Sequence, residues 1–215
     1  MTFSRLNWMW QTLAGLLGPT LFVVVSCQLA RVVSHGGSTP EEVLAILYWF
    51  HLPLFMLHEF EEYVFPGGFR EFYNTRTIFA ATVPQVNVPL NEACVFGINM
   101  ALWLWLIAGG LWAETMPWVS MGAILAQFVI NGVSHPIVFQ VRHRGYNPGL
   151  ATTLALLIPY CAFVVWYVLR GEILSNTDWF LAALCACAGV AGLLILMVSR
   201  KVQPLVRHLH VGQKE

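Results

Sequence analysis

Six long apolar stretches, at about 11–33, 42–63, 88–113, 117–140, 148–170 and 177–199, alternate with short polar connections along the 215-residue chain. Each is long enough for an α-helix to cross about 30 Å of hydrocarbon, which takes roughly 20 mainly apolar residues. The pattern predicts an all-α polytopic membrane protein, a bundle of about six transmembrane helices forming a single domain over residues 1–215. Between the second and third helices, "VFPGGFREFYNTRTIFAATVPQVN" (64–87) is too polar, and too broken by Pro66, Gly67 and Gly68, to span. Its Phe65, Phe69, Phe72 and Tyr73 make it an interfacial segment, positioned to act as a lid.

Composition agrees with this pattern: 58% of residues are hydrophobic and 10% charged, which excludes an ordinary soluble domain. Zero net charge argues against a nucleic-acid partner. The basic residues are unevenly placed. With both termini cytoplasmic, the inner side collects Arg5, Arg70, Arg76, Arg142, Arg144, Arg200, Lys201, Arg207 and Lys214, leaving Arg31 and Arg170 outside; nine against two is a strong positive-inside signal. The five cysteines all fall within apolar stretches and read as small apolar residues. "VVSC" at 24–27 resembles a lipoprotein processing site, but its surroundings serve better as a first transmembrane helix.

Polar residues inside the stretches are few, and they fall at one depth. His58 lies 16 residues after Glu42, roughly 24 Å across the membrane at helical rise, so "HEFEE" (58–62) sits near the inner interface. The third helix starts there, near Val88 and Pro89, with Glu92 about one turn in; the fourth returns to the same level at His135. At 100° per residue, His58, Glu61 and Glu62 share one face, with His51 a heptad behind and Glu59 turned toward headgroups or water. Gln127, Asn131 and His135 form an i, i+4 stripe on the fourth helix, and Glu92 and Asn99 are a heptad apart on the third. Ionisable groups in a span are costly, about 2.5–3.5 kcal/mol each at its centre, and mark function.

Two imidazoles with two or three carboxylates form a ligand set for a divalent metal, zinc or else iron or manganese, the latter possible as a dinuclear pair. His58, Glu61, Glu62, Glu92 and His135 are the candidate ligands. Glu61, Glu62, Glu92 and Asn131 are the candidate catalytic groups, Asn131 orienting substrate or a ligand. Each residue also has a blander account. The glutamate run can be a helix end emerging into water, Glu92 can complement a helix dipole, His135 can satisfy a backbone carbonyl, and Asn131 and Gln127 can join helices. His51 reads as structural, His208 and His210 as solvated surface, and Arg142 and Arg144 as topology determinants. The convergence of three helices at one depth favours a site.

With "HEFEE" the chain resembles the HXXEE family of small bacterial membrane proteins, and "NGVSH" (131–135) and "YNPG" (146–149) look like companions of that motif. The resemblance implies that His58, Glu61 and Glu62 act together, and a place in the bacterial cytoplasmic (inner) membrane. It implies no mechanism. The residues themselves point to a membrane-embedded metalloenzyme whose partners are membrane lipid and a small hydrophobic or lipid-like substrate, with hydrolytic or oxidative chemistry. The alternatives are a metal-free glutamate acid/base enzyme of cyclase or protease type, and a proton or cation transporter, for which discontinuous helices and a pseudo-repeat are wanting.

Overall fold

The computed structural model of the chain describes residues 2–80 and 90–198. Among these residues the fold is entirely helical, and six helices are long and apolar enough to cross a membrane: Phe3–Ser34, Pro40–Tyr63, Glu92–Leu111, Pro117–Val141, Leu150–Gly171 and Asn176–Ile195. These are the first to sixth spans below, and together they make the expected polytopic bundle. Arg200, Lys201, Arg207, Lys214, His208, His210, Val88 and Pro89 lie outside the described residues.

Helix ends are set by short-range chemistry. The second span begins with a capping box in which Thr39 Oγ1 accepts from Glu42 N (3.2 Å) and Glu42 Oε2 accepts from Thr39 N (3.0 Å), with Pro40 at the first position. Asn91 caps the third span through Cys94 N, so Glu92 is its first residue rather than a turn inside it. Alternation of direction follows from contacts at either end. Asn7 Nδ2 donates to Glu92 O at the motif end, and Tyr167 Oη donates to Pro40 O at the other.

Prolines shape the three spans that matter most. Pro53 cannot donate to the carbonyl of Trp49, and the second span breaks at Phe50 into Pro40–Trp49 and His51–Tyr63. The fourth span leaves α-helical register at Phe128 and runs as a π-helix to Val138, with Pro136 inside it. The fifth does the same over Thr153–Leu157, just before Pro159. A π-turn carries an extra residue, swings side chains out of α register and recurs at functional sites.

Small residues let the spans approach elsewhere. A Cβ on Gly122 would stand 2.8 Å from Cys185 Cβ, so the outer half of the fourth span lies tightly against the sixth, and Gly15 faces Phe60 where the first span packs on the second. The expected interfacial element contains a short helix, Phe69–Arg76, whose Phe69, Phe72 and Tyr73 are buried beneath the motif end, while Phe65 is exposed. It is pinned by Asn74, which accepts from Leu90 N and donates to Leu90 O, both at 2.8 Å.

Candidate metal site

The half-helix His51–Tyr63 carries His58 and Glu62 one turn apart, and the π segment of the fourth span carries His135 to the same point. All three are buried, the two histidines completely. Glu62 Oε1 stands 3.5 Å from His58 Nε2 and 3.2 Å from His135 Nε2, and one donor atom from each residue falls within 4.8 Å of the others. The imidazoles meet edge to face, with centroids 5.0 Å apart.

The remaining ring nitrogens fix the tautomers. Asn147 Nδ2 donates to His135 O (3.1 Å), which orients the amide and leaves Asn147 Oδ1 to accept from His135 Nδ1 at 2.7 Å. Thr152 Oγ1 donates to Glu61 Oε2, so the same hydroxyl accepts from His58 Nδ1 at 2.9 Å. Both rings therefore carry a hydrogen on Nδ1 and turn Nε2 toward a carboxylate oxygen of Glu62. Neither Nε2 has a hydrogen-bond partner. A buried carboxylate facing two buried ring nitrogens calls for positive charge between them, carried by a metal ion or by a proton on Nε2.

The three donor atoms lie close enough together to hold a metal ion. With metal–N and metal–O bonds near 2.0–2.1 Å at tetrahedral angles, neighbouring donors are about 3.3–3.4 Å apart; the two distances to Glu62 bracket that value. Two histidines and a glutamate that leave a fourth position open are a donor set of catalytic zinc sites. The carboxylate–hydroxyl–imidazole chain Glu61–Thr152–His58 and the Asn147–His135 pair are the outer supports such ligands need.

Glu61 stands beside this group of three rather than within it. Its carboxylate takes Ala151 N (3.0 Å), Thr152 N (2.6 Å), Thr152 Oγ1 and Tyr146 Oη (2.8 Å) at the start of the fifth span, where the helix dipole also favours an anion. Burial, and then the hydrogen bond to Glu61, raise the Tyr146 pKa, which keeps its hydroxyl a donor. Glu92 is farther off. It pairs with Arg70 at 2.9 Å on the partly exposed rim. Asn131 is buried one turn before His135 and lines a cavity that Glu62 also lines, with no hydrogen bond to the three among the described residues. Of the five candidate ligands, then, the fold brings together His58, Glu62 and His135. Glu59 corrects an expectation: it does not face headgroups or water but is fully buried, accepting from Trp103 Nε1.

Thr152 carries no functional signal of its own in the sequence, and Asn147 and Gly149 carry one only as part of the "YNPG" companion of the motif. "YNPG" reads as a turn, and it is one, with Gly149 at φ +93°. It is also part of the site, because a Cβ on Gly149 would lie 2.5 Å from His135 Cε1 and 2.8 Å from His58 Cε1. Only glycine combines that backbone conformation with that approach. The signal available was depth: the first turn of the fifth span starts at the same level as His58 and His135. Phe69 covers the site from the interfacial helix, its ring 5.5 Å from that of His135 and tilted by 30°.

A family model described as "Protein of unknown function with HXXEE motif" matches residues 49–167, more than half of the chain. That stretch includes His58, Glu61, Glu62, His135, Asn147, Gly149 and Thr152. No curated protein and no solved structure matches.

Proposed function

Since the chain belongs to the HXXEE family, whose named residues converge here with His135 and the "YNPG" turn, we propose that it is a membrane-embedded, metal-dependent enzyme. His58, Glu62 and His135 would hold a single divalent ion, zinc by donor set. The observation that carries this reading is the pair of buried Nε2 atoms, neither in a hydrogen bond and both converging on Glu62 Oε1. With Glu61 and Glu92 engaged elsewhere, the arrangement favours one ion over two, and hydrolysis over dinuclear oxidative chemistry. A metal there would supply Lewis acidity and a water acidified toward neutral pH.

The chain's own residues do the rest. Thr152, itself held by Glu61, fixes the plane of His58, and Asn147 fixes that of His135. Phe69 excludes water from the side of the interfacial helix. The excess of basic residues at the motif end supports a cytoplasmic placement of the site, in a bacterial inner membrane, acting on a small hydrophobic or lipid-like substrate.

Element analysis of detergent-purified protein tests this directly. Near-stoichiometric metal in the wild type, lost in Glu62→Gln and His58→Ala variants that elute normally, is expected. A wild-type protein free of metal after purification without chelator, and taking up none from added zinc, would overturn the reading. Activity that resists chelation yet disappears in Glu62→Gln would point instead to proton transfer by the Glu62–imidazole pair.

A further inference from the structure

A cavity of about 260 Å³ leads away from Glu62 between the third, fourth and sixth spans. Its two ends differ in chemistry. Near the metal site its polar lining includes Glu62, Asn131 and Ser134, the latter two within a turn of His135, together with Tyr63 and the Asn99 that donates to it, and Glu62 is the charged group among the described lining residues. Away from it the walls are apolar, including Leu102, Val133 and Val190. Of the three exposed lining residues, Phe79 (42%) lies just past the interfacial helix, whereas two face outward from spans, Val129 of the fourth (47%) and Leu194 of the sixth (50%). Both lie within membrane-crossing helices, so the surface they expose meets hydrocarbon rather than water.

The cause of the opening is visible in the backbone. The fourth and sixth spans are pressed together at Gly122 and Cys185, where the fourth is α-helical. The cavity occupies the stretch from Val129 to Phe139, where the fourth span is in π register and Pro136 interrupts its hydrogen bonds. Ligand cavities run roughly 300–1,000 Å³, so this one, at their lower edge, has room for one hydrocarbon chain rather than two.

We propose that this cavity takes the single hydrocarbon chain of a monoacyl amphiphile, which enters sideways from the bilayer between the fourth and sixth spans and lays its uncharged carboxylic acid or ester group beside Glu62. The proposal rests on the metal-site reading for what happens to that group, but not for the binding of the chain. A free fatty acid and a lysolipid offer the same chain and the same carbonyl chemistry. The apolar wall selects the chain, and the Glu62 end, with Asn131 and Ser134, meets the first polar atoms.

Photolabelling in proteoliposomes tests it, using diazirine-bearing palmitic acid, lysophosphatidylcholine and diacyl phosphatidylcholine in parallel, with labelled peptides mapped and bound metal measured on the same samples. The expected result is saturable labelling by at least one single-chain probe at 129–138 and 190–194, with the diacyl probe labelling only the general lipid-facing surface. The stronger of the two single-chain arms names the source. Val133→Trp and, from the opposite wall, Val190→Phe should each lower cavity labelling about tenfold, the affinity contributed by burying roughly two methylenes, while elution and metal content stay as in the wild type. Labelling spread evenly over all spans, or equal cavity labelling by the diacyl probe, or indifference to both wall variants, would overturn the proposal. Cavity labelling in a protein that holds no metal would instead sink the metal reading and leave the chain-binding site standing.

Discussion

His51 and His58 stand seven residues apart on one span, and both are buried from solvent, yet their surroundings have little in common. Around His51 the polar atoms are scattered. Its Nε2, Tyr48 Oη and Ser120 Oγ all lack partners, its ring lies against Tyr160 at 5.4 Å, and the gap bounded by these residues with Leu106, Gly109 and Ala123 has no space for a water molecule. Around His58 the two ring nitrogens have separate roles, since Nδ1 is held by Thr152 while Nε2 is aimed with that of His135 at one carboxylate oxygen. A buried histidine in a membrane span is thus not a site by itself. What distinguishes the inner group is that its supports are satisfied while its unsatisfied atoms converge.

The sharpest way to break this contrast is to exchange the two histidines' fates. His58→Ala should abolish near-stoichiometric metal, whereas His51→Leu should keep it, measured by element analysis after gel filtration. His51→Leu should also hold or raise the melting temperature, since an unpaired buried polar group costs about 1–3 kcal/mol and an apolar replacement removes that cost. Metal lost equally in both variants would erase the distinction.

Next in expected size is Gly149→Ala. The new methyl meets both imidazoles and forces a non-glycine residue to φ +93°, a backbone cost of about 1–3 kcal/mol before any clash. Thermal unfolding should fall and metal should be lost together. Lowered stability with full metal content would show that the turn is a structural feature only.

The supports should matter less than the ligands. Asn147→Ala and Thr152→Val each leave the three donors in place but free one ring, and outer supports of metal ligands are typically worth 10–100-fold in affinity. Competition with a zinc chelator should register that loss in each variant while the fold survives. An unchanged affinity would mean the hydrogen bonds at Nδ1 only fill space.

Much of the fold is legible in the sequence because the six apolar stretches obey a length rule that hydrocarbon imposes on any helix. Depth is legible too, since counting residues from the span ends puts His58, Glu62 and His135 at one level, and there they meet. What counting cannot supply is rotation. Angles drawn for Glu59 and Glu61 on an unbroken, isolated α-helix leave out the neighbouring spans, which decide otherwise, with Trp103 taking Glu59 and the start of the fifth span taking Glu61. Discontinuity is missed: no broken helix is evident in the sequence, yet the second span breaks at Phe50, before Pro53, and the fourth and fifth run as π segments around Pro136 and just before Pro159. Thr152 and the partner of Asn147, which the sequence marks only as part of "YNPG", stay hidden because these contacts exist only across a separation of 12 residues in one case and 94 in the other.

The smallest effect is expected at Glu92, and it separates the motif's own acids from an acid that merely lies near the same membrane surface. Glu92 opens the third span, where an anion complements the helix dipole, and pairs with an Arg70 side chain that is 48% exposed. A pair so open to solvent contributes roughly 0–1 kcal/mol. Its place is at the edge of the interfacial helix, which Asn74 already ties to Leu90 through two hydrogen bonds. Glu92→Gln should therefore shift the melting temperature only slightly and leave metal content unchanged, and Arg70→Gln should behave alike. A double variant no worse than either single one would assign the whole small effect to their pairing. Loss of metal in Glu92→Gln would instead bring this residue back to the site as a ligand, and would require the interfacial helix to move so that the third span's first turn can reach Glu62.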